Sequence, residues 1–261
     1  MAIVGFIGTG NMGGALARAA AKSARTETLF LANRSSEKAR RLADELGAET
    51  VDNREAAARA DVLFLGVKPQ GLAEMAEGIA DVLAARERCV IVSMAAGWEI
   101  GALQKLFPGK SVVRILPNIP VAAGCGVTLL CHAPDVCEQE LELVRELLGA
   151  SGMVSELDEH LLDAASGVTG CGPAFAAMFI EALSDGAVAC GLPRAEAIRY
   201  SAQMLKGTAE LLLQNGEHPG SLKDRVCSPG GSTIQGVRTL EQRAFRAAVT
   251  DAVIATWEKE F

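Results

Sequence analysis

The chain lacks the marks of several common protein classes. Its 261 residues carry 25 Lys and Arg against 32 Asp and Glu, a formal charge of -7, so there is no basic excess to hold a nucleic acid. Only three histidines occur, His132, His160 and His218, and they are scattered. None of the seven cysteines (Cys89, Cys125, Cys131, Cys137, Cys171, Cys190 and Cys227) forms a C-x-x-C pair. Cys131, His132 and Cys137 lie close in sequence, but the spacing and the fourth ligand of a metal site are missing. No metal is expected, and the thiols read as buried side chains in a reducing compartment. The longest uncharged run, residues 115–134, is broken by Pro117, Asn118, Pro120, Gly124 and Gly126. That excludes a continuous membrane-spanning helix of about 20 residues. No basic, cleavable leader precedes Ile3-Val4-Gly5-Phe6-Ile7, which reads as a first strand. The expectation is a cytoplasmic protein without a membrane partner.

Three lures for other chemistries fail. Gly109-Lys110-Ser111 imitates the end of a phosphate loop, but Gln104 stands where the first glycine is required and a strand follows instead of a helix. Ser35-Ser36-Glu37-Lys38 fits S-x-x-K without its companion motifs. A G-x-S-x-G elbow is absent. Nucleophilic and metal-assisted catalysis therefore have little support.

What is present suits one large or two ordinary soluble domains: 49% hydrophobic and 22% charged residues, with 27 glycines. No internal repeat or low-complexity segment is evident. Apolar runs at 3–7, 28–32, 49–51, 62–66, 89–93, 111–115, 126–131 and 152–156 predict strands, with helical patterns such as 11–24, 36–46, 70–84, 98–107 and 135–148 between them. That alternation predicts parallel pairing with crossover helices, a doubly wound Rossmann sheet. After residue 157 only helical patterns remain, with Pro173 and Pro193 suited to first turns. The domains expected are therefore 1–156 and 157–261. The stretch Ala174 to Val188 is apolar around most of its circumference, and about 105 residues of helices would struggle to cover it alone, the alternative being a helix buried wholly within one subunit. Pairing with a second copy of the chain is expected.

Gly8-Thr9-Gly10-Asn11-Met12-Gly13 is a G-x-G-x-x-G between a strand and a helix, the context in which that pattern binds a dinucleotide. Gly8 permits the tight turn, Gly10 admits the pyrophosphate to the backbone, and Gly13 packs helix on strand. An NAD enzyme usually places an acid at the end of the second strand for the ribose hydroxyl. Here Ala32-Asn33-Arg34-Ser35-Ser36 offers none, whereas Arg34 suits a 2′-phosphate with Asn33 and Ser35 beside it. This favours NADP over NAD, although Ser35 or Ser36 also suits a helix cap. Gly66-Val67-Lys68-Pro69, Met94-Ala95-Ala96-Gly97 and Pro117-Asn118-Ile119-Pro120 follow later strands, where ligands sit in open sheets. Lys68 is either a cation for an anionic ligand or a solvated lysine, and the small residues at 95–97 leave room for a nicotinamide ring.

A second constellation runs from Lys223 to Thr233. Gly230 and Gly231, among the hydroxyls of Ser228, Ser232 and Thr233 and directly before a helical pattern, make an anion nest suited to a carboxylate. A simple capped glycine turn is the alternative, which needs one hydroxyl and not three.

With both constellations placed, the chain resembles the pyrroline-5-carboxylate reductases nearly end to end. The resemblance rests on GFIGTGNMG at the start, VKP at 67–69, SMAAG at 93–97, LPNIP at 116–120, SGVTGCGPAF at 166–175 and GLPRAEA at 191–197. Above all it rests on HPGSLKDRVCSPGGSTIQGVRTLE at 218–241. It implies NADPH-dependent (or NADH-dependent) reduction of pyrroline-5-carboxylate to proline, with a Rossmann domain followed by an all-α dimerisation domain. A homodimer, often assembled further into a decamer, is implied. By matching positions, the nucleotide would be held by Phe6, Ile7, Gly8, Thr9, Gly10, Asn11, Met12, Gly13, Asn33, Arg34, Ser35, Asn53, Gly66, Val67, Lys68, Pro69, Met94, Ala95 and Ala96. The substrate carboxylate would sit at Ser228, Gly231, Ser232 and Thr233, with Thr233 as the catalytic residue reaching the ring nitrogen and Glu159 lining the same pocket. Arg225 departs from the family pattern and receives no role. The β-hydroxyacid dehydrogenases share the GFIG opening but resemble G-x-G-x-x-x-K in a later helix. Here Ala176 stands in place of that lysine.

Overall fold

The apolar opening forms β1 (Ala2–Ile7), and the chain then alternates through α1 (Asn11–Ala21), β2 (Thr26–Ala32), α2 (Ser36–Leu46), β3 (Glu49–Thr50), α3 (Asn53–Arg59), β4 (Val62–Leu65), α4 (Leu72–Ala84), β5 (Val90–Ser93), α5 (Ile100–Leu106), β6 (Ser111–Pro117), β7 (Gly126–His132), α6 (Glu138–Leu148) and β8 (Gly152–Glu156). The structure is a computed structural model, and it describes residues 1–258. All eight expected strands form, in one sheet of order β3-β2-β1-β4-β5-β6-β7-β8. The reversal between β1 and β4 is the switch point of a doubly wound sheet, where ligands bind beyond the carboxyl ends.

Every residue of β4 and β5 is buried, as continuous apolar runs demand when helices cover both faces. Phe6 of β1 stacks on Phe64 of β4 with ring centroids 4.5 Å apart. α1 buries seven of its eleven residues, all but Leu16 being Gly or Ala, so its axis comes close to the sheet. One helix escaped the sequence pattern: α3 is seven residues long, and its N-cap Asp52 accepts from the Glu55 amide at 2.8 Å.

The sheet differs from an all-parallel one at a single pairing. β7 runs antiparallel to β6, with Pro117 opposite Thr128, and β8 then runs parallel to β7. Only residues 118–125 join β6 to β7, through a short 3-10 turn at Ile119–Ala123. A parallel return needs a dozen or more residues, so this link permits only a reversal.

Packing divides the chain into two compact units, Met1–Gly170 and the residues from Cys171 on. The first therefore extends past the last strand to include α7 (Leu162–Thr169), whose Leu162 is fully buried in the main core. The second unit contains α8 (Gly172–Ala189), α9 (Arg194–Asn215), α10 (Pro219–Val226), α11 (Ser232–Gln242) and α12 (Phe245–Trp257), and no strand among the described residues. Pro173 lies in the first turn of α8, whereas Pro193 is the N-cap of α9 and not a first-turn residue. Within this unit the Ser184 and Ser201 hydroxyls lie 3.4 Å apart, and Phe179 meets Phe245 with centroids 5.7 Å apart.

Among the described residues, few side chains of the second unit are buried: Ser184, Ala197, Ser201 and Leu222. Met178, Leu213 and Trp257 are more than 60% exposed. One helical stretch, Glu159–Ala189, is long and apolar enough to cross a membrane by length and composition. It includes the breakers Gly170, Gly172 and Pro173, which separate α7 from α8, and its burial is low.

Candidate functional site

The turn between β1 and α1 is built by contacts that only glycine allows. Gly8 has φ +94°, and a Cβ there would lie 2.6 Å from the Gly66 carbonyl. A Cβ on Gly13 would collide with the Gly8 carbonyl oxygen, and so would one on Gly66. The three glycines thus weld the β1 turn, the first turn of α1 and the end of β4 together. Gly10 is different. It is the N-cap of α1, exposed, and a Cβ on it would meet nothing within 4 Å. No side chain caps this helix, so its first amides have no side-chain acceptor. That is the cradle an anionic pyrophosphate requires.

Asn33, at the end of β2, accepts from the Thr9 amide at 3.3 Å and donates to the Ser35 carbonyl at 3.2 Å. Its side chain therefore braces the loop. Ser35 is the N-cap of α2 but makes no capping hydrogen bond, so its hydroxyl is left for another partner. Arg34 is exposed, and among the described residues no carboxylate pairs with it. Thr9 is 7% exposed, and its hydroxyl has no hydrogen-bond partner among the described residues. The loop thus offers bare helix amides and a free cation, and a phosphorylated dinucleotide fits it.

Beyond the ends of β4, β5 and β6 lies a cavity of about 340 Å³. Met12, Gly66, Val67, Lys68, Met94 and Ala96 line it, together with Leu116, Pro117, Ser166, Thr169 and Gly170. Trp98 donates to the Pro69 carbonyl at 3.2 Å, fixing the Val67–Pro69 turn beside the loop after β5. Asn118 is the other brace. It accepts from Val127 at 2.8 Å and donates to the Thr169 carbonyl at 2.9 Å, tying the β6–β7 hairpin to the end of α7.

In the second unit, the segment between α10 and α11 turns tightly. The Gly231 amide donates to the Ser228 carbonyl at 3.0 Å, Gly230 has φ +71°, and Gly231 is the N-cap of α11. A Cβ on Gly231 would collide with the Ser228 hydroxyl, which holds Ser228 over the helix end. No side chain caps α11 either, and Ser228, Ser232 and Thr233 are exposed. Nearby charges are already matched. Lys223 lies 2.9 Å from Asp224, which raises its pKa by hydrogen bonding, and Arg225 pairs with Glu217 at 2.8 Å. The nest therefore presents neutral donors to an anion.

Residues 159–260 match a family model described as pyrroline-5-carboxylate reductase dimerisation, and residues 3–97 match one described as NADP oxidoreductase, coenzyme F420-dependent. The chain is 36% identical over 260 residues to pyrroline-5-carboxylate reductase of Escherichia coli, covering 98% of this chain and 96% of that one. It is 42% identical over 208 residues to the reductase of a Synechocystis species, covering 80% and 77%. The chain belongs to the pyrroline-5-carboxylate reductase family. Among solved structures, the Plasmodium falciparum pyrroline carboxylate reductase with NADP bound superposes with a TM-score of 0.85 at 29% identity, over 98% of this chain and 96% of that one.

Against this family background, several site expectations change. Phe6 and Ile7, at 0% and 1% exposure, belong to the core of this reductase. Their backbone pairs with β2 and β4, and the Ile7 carbonyl accepts from Gly66, so neither residue presents a surface to a ligand. Asn53 is exposed at the first position of α3 and is not among the residues lining the cavity. Glu159 is already engaged: its Oε1 accepts from the Ile100 amide at 2.8 Å, at the start of α5, and from buried Arg114 at 3.0 Å. The geometry makes it a brace of the first unit.

Leu116, Ser166, Thr169 and Gly170 were not singled out as site residues from sequence, although two of the quoted motifs contain them, whereas Pro117 opens one of the segments expected beyond a strand end. The thiols also differ from expectation. Only Cys89 and Cys131 are buried, each pushed up to about 12 by desolvation, while Cys125, Cys137 and Cys190 are exposed. No cluster of three or more metal-ligating side chains forms among the described residues.

Proposed function

We propose that the chain reduces 1-pyrroline-5-carboxylate to L-proline, the last step of proline biosynthesis, with NADPH as hydride donor and NADH as a second donor. One observation carries this reading: both units of a chain of this family present an uncapped helix N-terminus beside an open glycine turn, α1 after Gly10 and α11 after Gly231. The first suits a pyrophosphate and the second a carboxylate.

In this reading the amides from Gly8 to Gly13 hold the pyrophosphate, and Arg34 and Ser35 take the 2′-phosphate. Asn33 acts through Thr9, which it braces. Asn53 contributes from the start of α3. Val67, Lys68, Pro69, Met94, Ala95 and Ala96 surround the nicotinamide end. Bound nucleotide supplies the hydride, while the protein orients and adjusts charge. Ser228, Gly231, Ser232 and Thr233 anchor the carboxylate, and the Thr233 hydroxyl orients the ring nitrogen, which solvent protonates. Orientation of this kind can lower a barrier by about 7–11 kcal/mol. The exposed apolar helices of the second unit support a homodimer; further assembly to a decamer and a cytoplasmic location belong to the same reading through the family resemblance alone.

The test is NADPH oxidation, followed by absorbance, with pyrroline-5-carboxylate beside a six-membered cyclic imine and a keto acid. Rapid turnover of the five-membered ring alone is expected. Silence on all three, with NADPH still bound, refutes the reading.

A further inference from the structure

We propose that the Ser166 hydroxyl is a cofactor-positioning group that hydrogen-bonds the nicotinamide carboxamide; this rests on the nucleotide reading above. Most Ser and Thr hydroxyls beyond the first turns of the helices of this chain bond back to their own backbone; besides Ser166, the exceptions are Ser201, which lies beside the Ser184 hydroxyl, and the exposed Thr250. Thr169 donates to Ala165, Ser184 to Ile180, Thr208 to Met204, Thr239 to Gln235 and Thr256 to Val253, at 2.7–3.1 Å. That back-bond is the ordinary fate of a helical Ser or Thr. Ser166, in the middle of α7, makes none, and its hydroxyl has no hydrogen-bond partner among the described residues.

The same residue lines the 340 Å³ cavity at the end of the sheet. Its hydroxyl lies against the bare Cα of Gly170, where a Cβ would come within 3.0 Å, so a side chain at 170 would crowd it. Of the other polar side chains on this wall, Thr169 has its hydroxyl proton committed to the Ala165 carbonyl and Lys68 can only donate; Met12, Val67, Met94, Leu116 and Pro117 are apolar and suit the faces of a flat ring. Apolar side chains cannot orient a carboxamide, which needs a partner able to donate to its oxygen or accept from its nitrogen. A serine hydroxyl does either. The Asn118 bond to the Thr169 carbonyl and the Glu159–Arg114 pair hold α7 in place from both ends, so the hydroxyl is presented from a fixed backbone.

The experiment compares binding of NADP⁺ with that of 2′-phospho-ADP-ribose, a fragment lacking the nicotinamide, to the full chain and to Ser166→Ala and Ser166→Thr. Ala favours a helix, so the variant folds. Ser166→Ala should weaken NADP⁺ about 3–10-fold, the worth of one hydrogen bond, and leave the fragment unchanged. Ser166→Thr should restore most of the loss. Unchanged NADP⁺ affinity overturns the assignment, and so does an equal loss for both ligands, which would mean that the loop has moved. A parent chain that binds neither ligand overturns the nucleotide reading itself, and the Ser166 assignment with it.

Discussion

Glu159 decides between a brace and a substrate contact, and its replacement has a magnitude that can be worked out. Arg114 on β6 is 3% exposed, its Nη1 donates to Glu159 at 3.0 Å, its Nη2 lies 3.6 Å from Asp163, and its Nε has no partner. Removing one member of a buried pair costs about 3–5 kcal/mol, because the other charge is left stranded. Here the Glu159 side chain is one-third exposed and Asp163 remains, so about 2–3 kcal/mol is the appropriate share. Glu159→Ala also deprives the Ile100 amide of its acceptor at the start of α5, a further ~1 kcal/mol. The total for Glu159→Ala is about 3–4 kcal/mol, whereas Glu159→Gln keeps an oxygen for the amide and should lose about 2–3 kcal/mol. Urea unfolding at one fixed protein concentration measures both, since self-association makes the midpoint depend on concentration. A loss below about 1 kcal/mol for Glu159→Ala refutes the brace. Native stability in Glu159→Gln with a sharply raised KM for the imine would return Glu159 to the substrate.

Other predictions concern the glycines, the cation and the nest. Gly10→Ala should fold with unchanged stability and lose affinity for NADPH, because its Cβ occupies only the space reserved for the pyrophosphate. Gly13→Ala should lose about 1–3 kcal/mol or more, because its Cβ strikes the Gly8 carbonyl; thermal melts with and without NADPH separate the two. Arg34→Ala should raise KM for NADPH and leave that for NADH nearly unchanged, and equal losses would remove Arg34 from the 2′-phosphate. Thr233→Ala should lower kcat by about 10–10³-fold, and unchanged turnover would end its assigned role.

What could be read from the sequence follows the reach of each physical signal. Fully buried parallel strands must be apolar throughout, so runs such as Val62–Leu65 announce themselves. Strand direction has no such signature in composition, yet the short link at 118–125 contains it, because too few residues remain for a crossover. α3 was signalled only by Asp52 three residues before Glu55. The glycine loop was legible because backbone crowding permits no other residue. Phe6 and Ile7 were drawn in by neighbourhood: a contiguous motif does not say which members face the core. Ser166 and Glu159 lie beyond any local pattern. A hydroxyl on a helix is ordinary until the fold shows its back-bond missing, and the partner of Glu159 at Ile100 is 59 residues away.

The helical unit raises a different question of physics. Its five helices, α8 to α12, bury only Ser184, Ala197, Ser201 and Leu222, and two of those four are serines. α8 alone has eighteen residues and a single buried one, although it contains Phe175, Met178, Phe179 and Ile180. A helix of that composition is stable only when covered, because the hydrophobic term supplies most of the free energy that offsets chain entropy. Ninety residues with so little interior cannot supply that term alone, since small units bury too small a fraction of their surface. The first unit has no such deficit, with a continuous core from Val4 to Leu162. The division of labour is therefore energetic as well as chemical. The sheet unit carries its own stability and can form a rigid nucleotide turn. The nest at Ser228–Thr233 sits on helices that need a further apolar surface, so the order of the proposed substrate anchor is tied to whatever covers them.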